Sequence, residues 1–456
     1  MRIKMDFNKL RETYKNFYFH DFEIYEDDSS IQIQYDFEIE GLSHFNPSLL
    51  LPKPKGRDEI GLLKVFRETA FSLGMIELIS YWKITCPEKV IVECASLTPD
   101  QIKWWKKLYY YGLGEFFYRN KIEIALEEFM ELSSIGEKIE GRVDESSCHG
   151  NLIPVGGGKD SFVTLDVLKD SYEDNHALVI NHIPSAIHSA EKAGYTNEKL
   201  IVVERSLDSR MLEFNKAGYL NGHTPFSALA AFISFLVAIV FQKQFICLSN
   251  EDSANESTVK DSKVNHQYSK TFEFEQDFNE YTKNYLSPEI HYFSLLRPIS
   301  EIQIAGIFST LKEYHSVFRS CNVGQKEEKW CAKCAKCLFV CIILSAYLSR
   351  EELIEIFHRD ILDDPDMLSL FEQLTGLQDN KPFECVGTRE EVNLAIVAYI
   401  RQHDALPYLY EKYKESEYYS YYKDKRIDFL SWNDHNLVPE DYAKKLKERL
   451  EEIIHV

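Results

Sequence analysis

The stretch that decides the fold is Leu152-Ile153-Pro154-Val155-Gly156-Gly157-Gly158-Lys159-Asp160-Ser161-Phe162-Val163-Thr164-Leu165-Asp166-Val167-Leu168. A short apolar run enters three glycines and leaves them as an apolar stretch with helical spacing. The pattern predicts a buried strand over 152–155, a turn, and a helix over 162–168. Glycines at such a junction let backbone N–H groups approach a ligand closely, and a helix N-terminus favours negative charge. Lys159 is placed to pair with a phosphate oxygen and Ser161 to donate to one. Asp160 would repel phosphate unless it helps to hold a magnesium ion. Gly156, Gly157, Gly158, Lys159, Asp160 and Ser161 are therefore the expected phosphate site. The spacing is not that of the Walker loop, which needs four residues between its first glycine and Gly-Lys-Ser/Thr.

Outward from this loop, short apolar runs recur at 177–181, 200–203, 245–249 and 292–296. Helical patterns separate all but the last two, which a long polar loop connects. Alternation of this kind predicts an α/β fold, a parallel sheet with helices on both faces, binding ligands beyond the carboxyl ends of its strands. We read residues 148–345 as this domain, ending in a cysteine cluster. Residues 1–147 read as an α+β domain that positions substrate. There, 17–25 and 31–38 flank a polar turn as a hairpin, followed by a helix near 62–80, a strand at 89–93 and amphipathic helices through 104–132. Residues 346–456 read as a helical C-terminal region.

A chain of 456 residues is long enough for two or three domains. Acidic residues outnumber basic ones, 73 to 52, for a net charge of −21. That field disfavours nucleic acid, whose binding rests on phosphate neutralisation. The first residues have no secretory pattern, so a cytoplasmic location is expected. The apolar run 225–241 is at the short limit for a membrane span. Its setting predicts a buried core helix instead, capped by Thr224 with Pro225 in the first turn. Of ten cysteines, Cys321, Cys331, Cys334 and Cys337 lie close together. Four thiolates at this spacing can close a tetrahedral zinc site; a group of free reduced thiols is the other reading.

Four polar stretches remain. Asn221-Gly222-His223-Thr224 precedes the apolar run, and His223 is either a ligand or a loop residue. Ser249-Asn250-Glu251-Asp252-Ser253-Ala254-Asn255-Glu256-Ser257 follows a strand. Asn250, Glu251, Asp252, Asn255 and Glu256 there suit magnesium or an amide, or else form a solvated loop. Val264-Asn265-His266-Gln267-Tyr268-Ser269-Lys270 brings His266 and Lys270. Lys381-Pro382-Phe383-Glu384-Cys385-Val386-Gly387-Thr388 contains Cys385, either a small buried residue or a reactive one.

The loop PVGGGKDS resembles the Ser-Gly-Gly-x-Asp-Ser PP-loop of the ATP pyrophosphatases, with Gly156 in place of the first serine, so one hydroxyl donor is missing. The resemblance implies ATP with Mg2+, cleavage to AMP and diphosphate, and activation of a carboxylate as an adenylate. The cysteine cluster is similar to a structural zinc site in 7-cyano-7-deazaguanine synthase. Taken together, PVGGGKDS, NGHTPFSA, SNEDSANES, NHQYSK, CAKCAKCLFV and KPFECVGT resemble the epimerases acting on UDP-N-acetyl-α-D-muramoyl-L-alanyl-L-glutamate. That likeness implies a UDP-linked muramoyl dipeptide as substrate, inversion of its terminal glutamate, and a role in peptidoglycan synthesis. His223, His266 and Cys385 are the candidates for the base that removes the α-proton. Two other PP-loop readings compete, an amide- or nitrile-forming synthase and a tRNA-modifying enzyme; the acidic charge speaks against the second. Neither nucleic acid nor membrane is expected as a partner.

Overall fold

The computed structural model describes residues 5–144, 146–252, 268–321, 323–324, 327–379, 381–382, 384 and 386–454. Among these, eleven strands belong to one large sheet. They are β1 (Asn16–Glu26), β2 (Ser30–Ile39), β3 (Ser43–Phe45), β4 (Ser48–Pro52), β5 (Lys89–Val92), β6 (Glu131–Ser134), β7 (Asn151–Pro154), β8 (Asn175–Ile180), β9 (Leu200–Ser206), β10 (Phe245–Leu248) and β11 (His291–Ser294). The chain divides into two compact units. Met1–Leu152, Ile201–Ile246 and Val264–Tyr292 make the first; Ile153–Leu200, Cys247–Lys263 and Phe293–Val456 make the second.

In the first unit β1 and β2 form the expected hairpin. Asp27 closes its turn by accepting from the backbone N–H groups of Ser29 at 2.7 Å and Ser30 at 2.8 Å. Along β2 every second residue, Ile31, Ile33, Tyr35, Phe37 and Ile39, is buried, as the two-residue strand period requires. The helix Lys64–Trp82 covers this face. A Cβ on Gly74 would stand 2.5 Å from the Phe19 ring, so glycine is what lets the helix seat this closely. Tyr35 then reaches the Ala70 carbonyl at 2.9 Å.

Several features differ from expectation. The connection between the runs 245–249 and 292–296, read as a long polar loop, carries the helix Phe272–Tyr285, which buries Phe274, Phe278 and Tyr281. Residues 131 and 132, the end of the stretch read as amphipathic helices, begin β6, which runs parallel to β5. And β9, read as a strand of a parallel sheet, pairs antiparallel with β4, with Leu49 opposite Arg205. The sheet is therefore mixed. Arg205 supplies a reason for the placement, forking onto Glu77 of the covering helix at 2.7 and 2.8 Å, a bidentate, nearly buried pair that fixes β9 in register.

The apolar run forms the helix Phe226–Val240, buried along most of its length. Trp105 stacks on its Phe232 at 5.3 Å. Among the described residues, no helix is long and apolar enough to cross a membrane. Thr224 does not cap it. The helix begins one residue later than expected, Pro225 holds the cap position, and no side chain caps it. The Thr224 carbonyl instead accepts from the Phe226 N–H in a tight turn at 2.7 Å.

In the second unit β7 and β8 are joined by Val155 N–H to Leu178 carbonyl at 2.8 Å, and β10 meets the β11 end through Leu295 N–H to Leu248 carbonyl at 2.9 Å. Beyond residue 346 the described regular structure is helical, as expected. Tyrosines of the 408–422 stretch are partly core: Tyr410 and Tyr413 are fully buried, and Tyr410 shares a 2.7 Å hydrogen bond with Ser345.

Candidate functional site

The site grows from the end of β7. Pro154 leaves the strand, the chain turns through three glycines, and the helix Lys159–Val167 begins. Gly157 has φ +84°, and a Cβ there would press at 3.1 Å on the Ser185–Ala186 backbone. A Cβ on Gly158 would meet the Ser320 hydroxyl at 2.8 Å. Gly156 differs, because a Cβ there points into open space. Gly158 holds the cap position and offers no side chain to the first-turn N–H groups of the helix. Ser161 Oγ accepts from the Gly156 N–H at 3.1 Å, which leaves the hydroxyl proton to donate. Backbone donors, a dipole end and a hydroxyl thus point to one place where an anion is favoured.

Lys159 is 2% exposed, and its ammonium lies between the carboxylates of Asp160 and Glu301. Glu301 opens the helix Glu301–Thr310, behind the capping box of Ser300 and Gln303. Its backbone N–H donates to Glu391 Oε1 at 2.7 Å. Glu391 also accepts from Thr388, at 2.8 Å from N and 2.7 Å from Oγ1. Burial pushes the Glu301 carboxyl up to about 8, with Asp160 and Glu251 pushing the same way and Lys159 pulling back. Burial alone would lower Lys159, but Asp160 and Glu301 outweigh it and hold the ammonium above its ordinary range. Burial and the neighbouring Glu301 raise Glu391 as well. Lys159 thus sits among three carboxyl groups, and the oxygens of Asp160 and Glu301 are hard donors of the kind a magnesium ion takes. Neither Glu301 nor Glu391 was expected from the sequence.

One polar stretch of the second unit reaches the helix of this loop through Ser249. Ser249 donates to Thr164 of the loop helix at 2.9 Å, and Asn250 to Ser294 at 3.4 Å. Arg297, fully buried, donates to the Glu251 carbonyl at 2.7 Å. Asn433 donates to Asp252 at 2.8 Å. Asn255 and Glu256 lie outside the described residues. Along the 381–388 stretch, Lys381 holds the Gly387 carbonyl at 2.9 Å, and Glu384 accepts from the Lys336 N–H at 3.2 Å. Cys385 lies outside the described residues.

The four cysteines converge. Their sulfurs all lie within 4.8 Å of one another, with Cys334–Cys337 at 3.5 Å, Cys331–Cys337 at 3.6 Å and Cys321–Cys334 at 4.0 Å. A tetrahedral zinc with bonds of about 2.3 Å sets its sulfurs about 3.8 Å apart, so the donor set fits that ion. Gly324 donates its N–H to Cys321 Sγ at 3.3 Å, the kind of outer contact that steadies a thiolate. The segment leading into Cys321 also braces the glycine turn: Arg319 N–H donates to the Gly157 carbonyl at 2.7 Å.

Comparison with known proteins adds the family. The description "MurL N-terminal domain" matches residues 8–295, and "MurL C-terminal domain" matches residues 314–409. The chain belongs to the MurL family. It is 31% identical to a UDP-N-acetyl-alpha-D-muramoyl-L-alanyl-L-glutamate epimerase of Xanthomonas oryzae pv. oryzae, over 71% of this chain and 72% of that one. Proteins of the same name from a Micromonospora species and from Salinispora tropica are each 30% identical; both matches cover 78% of this chain, and 80% and 78% of theirs. No solved structure matches.

In this MurL chain the remaining expected residues belong to the first unit or lie outside the described residues. His223 is 31% exposed, with Nδ1 3.9 Å from Glu115 Oε2. Its loop is held by Lys83, which donates to the Gly222 carbonyl at 2.8 Å and which burial pulls down to about 8. Lys270 ends a short 3-10 turn, Tyr268–Lys270. His266 lies outside the described residues. The MurL match takes in residues 8–147, where no chemical motif is legible.

Proposed function

We propose that this chain is an ATP-dependent epimerase. It converts the terminal L-glutamate of UDP-N-acetyl-α-D-muramoyl-L-alanyl-L-glutamate to D-glutamate, in the cytoplasm, during peptidoglycan precursor synthesis. What carries this reading is an anion-holding glycine loop with a lysine–carboxylate cluster, in a chain whose relatives are named for that inversion.

The chemistry follows from what the inversion demands. A free α-carboxylate resists loss of the neighbouring proton, because the new charge would accumulate beside an anion. The glutamate α-carboxylate attacks the α-phosphorus of ATP, the bond to the β-phosphate oxygen breaks, and diphosphate leaves. The acyl adenylate no longer carries the carboxylate charge, and its α-proton falls within reach of a side-chain base. The electron pair spreads onto the acyl oxygen, and a proton returns to the opposite face. Water then adds at the acyl carbon and AMP leaves. Loop N–H groups, Ser161 and Lys159 are assigned to the phosphates, and Asp160 and Glu301 to the magnesium ion. That ion, when bound, supplies charge neutralisation at phosphate oxygens. His223, His266 and Cys385 stay the candidate bases, and Cys321, Cys331, Cys334 and Cys337 are assigned a structural zinc.

Phosphorus NMR of a reaction with ATP, Mg2+ and the L-glutamyl precursor tests the cleavage step. AMP and diphosphate should appear only when the precursor is present. ADP and phosphate would place the cleavage at the other bond and end the adenylate reading. An amide product would transfer the chain to the synthases.

A further inference from the structure

A second cluster of ligand-type side chains lies on the outer face of the first unit's sheet. His20 is on β1, Glu38 on β2 and His44 on β3, and one ligand atom of each lies within 4.8 Å of the others. Backbone register brings them together. Glu38 is directly opposite His44 across the β2–β3 pair. On β1 the register shifts between Phe19 and Asp21, and the buried positions change parity from Phe17 and Phe19 to Phe22. His20 is the extra residue of that bulge. His20 keeps the alternation that puts Tyr18, opposite Glu38, on this face, and the bulge turns only the residues beyond it.

The orientation of the rings is more specific than their proximity. His20 Nε2 is 2.8 Å from Glu38 Oε2, while its Nδ1 is 2.7 Å from Glu93. His44 Nε2 is 3.6 Å from the same Glu38 oxygen, while its Nδ1 is 3.3 Å from Asp36. Each imidazole thus has one nitrogen turned to a shared carboxylate and a second carboxylate behind the other. A carboxylate behind each ring fixes the tautomer with Nε2 as the lone-pair donor, the outer-shell arrangement that histidine metal ligands use. Tetrahedral zinc with bonds of about 2.05 Å spaces its donors about 3.3 Å apart, and the two Nε2–Oε2 distances fall on either side of that value. The rings stack at 5.6 Å with 21° between their planes, open enough for an ion between their edges. His20 and Glu38 are about a quarter exposed and His44 half exposed, so an ion has a path in.

We propose that His20, Glu38 and His44 form a binding site for a divalent transition-metal ion of the zinc class, with Glu93 and Asp36 as the carboxylates that orient its histidines. Two imidazoles and a carboxylate suit Zn2+, Co2+ or Ni2+ rather than Ca2+ or Mg2+. The site is chemically unlike the four-cysteine cluster, and the two are separable by spectrum.

Co2+ titration of the full-length protein, followed by absorption, tests this. Cobalt on thiolates gives strong near-ultraviolet charge-transfer bands, whereas cobalt on nitrogen and oxygen gives only weak visible ones. The wild type should show a saturable visible component with no sulfur charge transfer. His44→Ala and Glu38→Gln should each lose it while keeping any sulfur band and a wild-type circular dichroism spectrum. Asp36→Asn should weaken it by about ten- to a hundredfold. A wild type that takes up no cobalt outside thiolate ligands would overturn the site. So would a nitrogen–oxygen component unchanged in both His44→Ala and Glu38→Gln, since the carboxylates would then only be ion-pairing with protonated imidazoles.

Discussion

Gly156 and Gly157 are neighbours with opposite constraints. Gly157 sits at positive φ against backbone, where alanine is strained, whereas the Cβ position of Gly156 is open. Gly157→Ala should cost more than about 1 kcal/mol, read by urea denaturation. Gly156→Ser should be nearly neutral in stability. It should tighten ATP binding roughly two- to tenfold, the worth of one added hydrogen bond of about 0.5–1.5 kcal/mol. Looser ATP binding by Gly156→Ser, read by calorimetry, would mean that the phosphates do not sit at this loop. Lys159→Ala should abolish ATP turnover, since it removes the buried ammonium assigned to the phosphates.

Glu301 carries the pH dependence. Burial raises the pKa of its carboxyl well above the ordinary 4.5, against the pull of Lys159. Above 4.5 the folded state therefore holds a proton that the unfolded chain has released. Its contribution to stability is full below about 4.5 and is lost as pH rises through the raised value. Glu301→Gln is neutral at every pH, so its melting temperature should gain on the wild type across that window. A constant difference from pH 5 to 8.5 would show that Glu301 is already ionised. Glu301 and Glu391 were not legible in the sequence as site residues. Each reads there as part of a helix start, after Ser300 and Thr388, and only the fold brings Glu301 to Lys159, 142 positions away in the chain.

Among the elements, the strands around the loop were legible because β7, β8 and β10 are compact apolar runs bounded by turns. β6 was not, since Leu132 is the single apolar residue of Glu131–Ser134 and carries no period. The antiparallel β4–β9 pairing was hidden for another reason: strand orientation depends on partners far along the chain. The Thr224 cap failed by one residue, the usual margin for a helix end. The cysteine spacing was legible, and the fold adds that Arg319, just before Cys321, hydrogen-bonds the glycine turn. That contact makes a prediction about the element as a whole. The protein should hold about one zinc per chain in thiolate ligation. Stripping it with a chelator, or Cys331→Ser, should weaken ATP binding although no cysteine is assigned to ATP. Unchanged ATP affinity in a metal-free, folded protein would separate the two sites.

For the whole molecule, acidic charge, a glycine loop that opens a helix and MurL membership fit the proposal that ATP makes the α-proton of a glutamate removable. The glycine turn into a helix and the convergence of the four cysteines were legible because close spacing along the chain brings those residues together. The first 147 residues were not, because they carry strand and helix periodicity and no reactive motif. The base also remains a matter for variants. Substitution of the true one among His223, His266 and Cys385 should leave some diphosphate release but stop inversion, whereas substitution of the others should leave the ratio of the two unchanged.

The most direct test is the reaction in D2O with the L-glutamyl precursor and Mg2+, with and without ATP, followed by chiral analysis and mass spectrometry of the glutamate. The account predicts D-glutamate carrying one deuterium at the α-carbon, formed only when ATP is present. Inversion at the same rate without ATP, or steady AMP formation over unchanged and undeuterated L-glutamate, would contradict it.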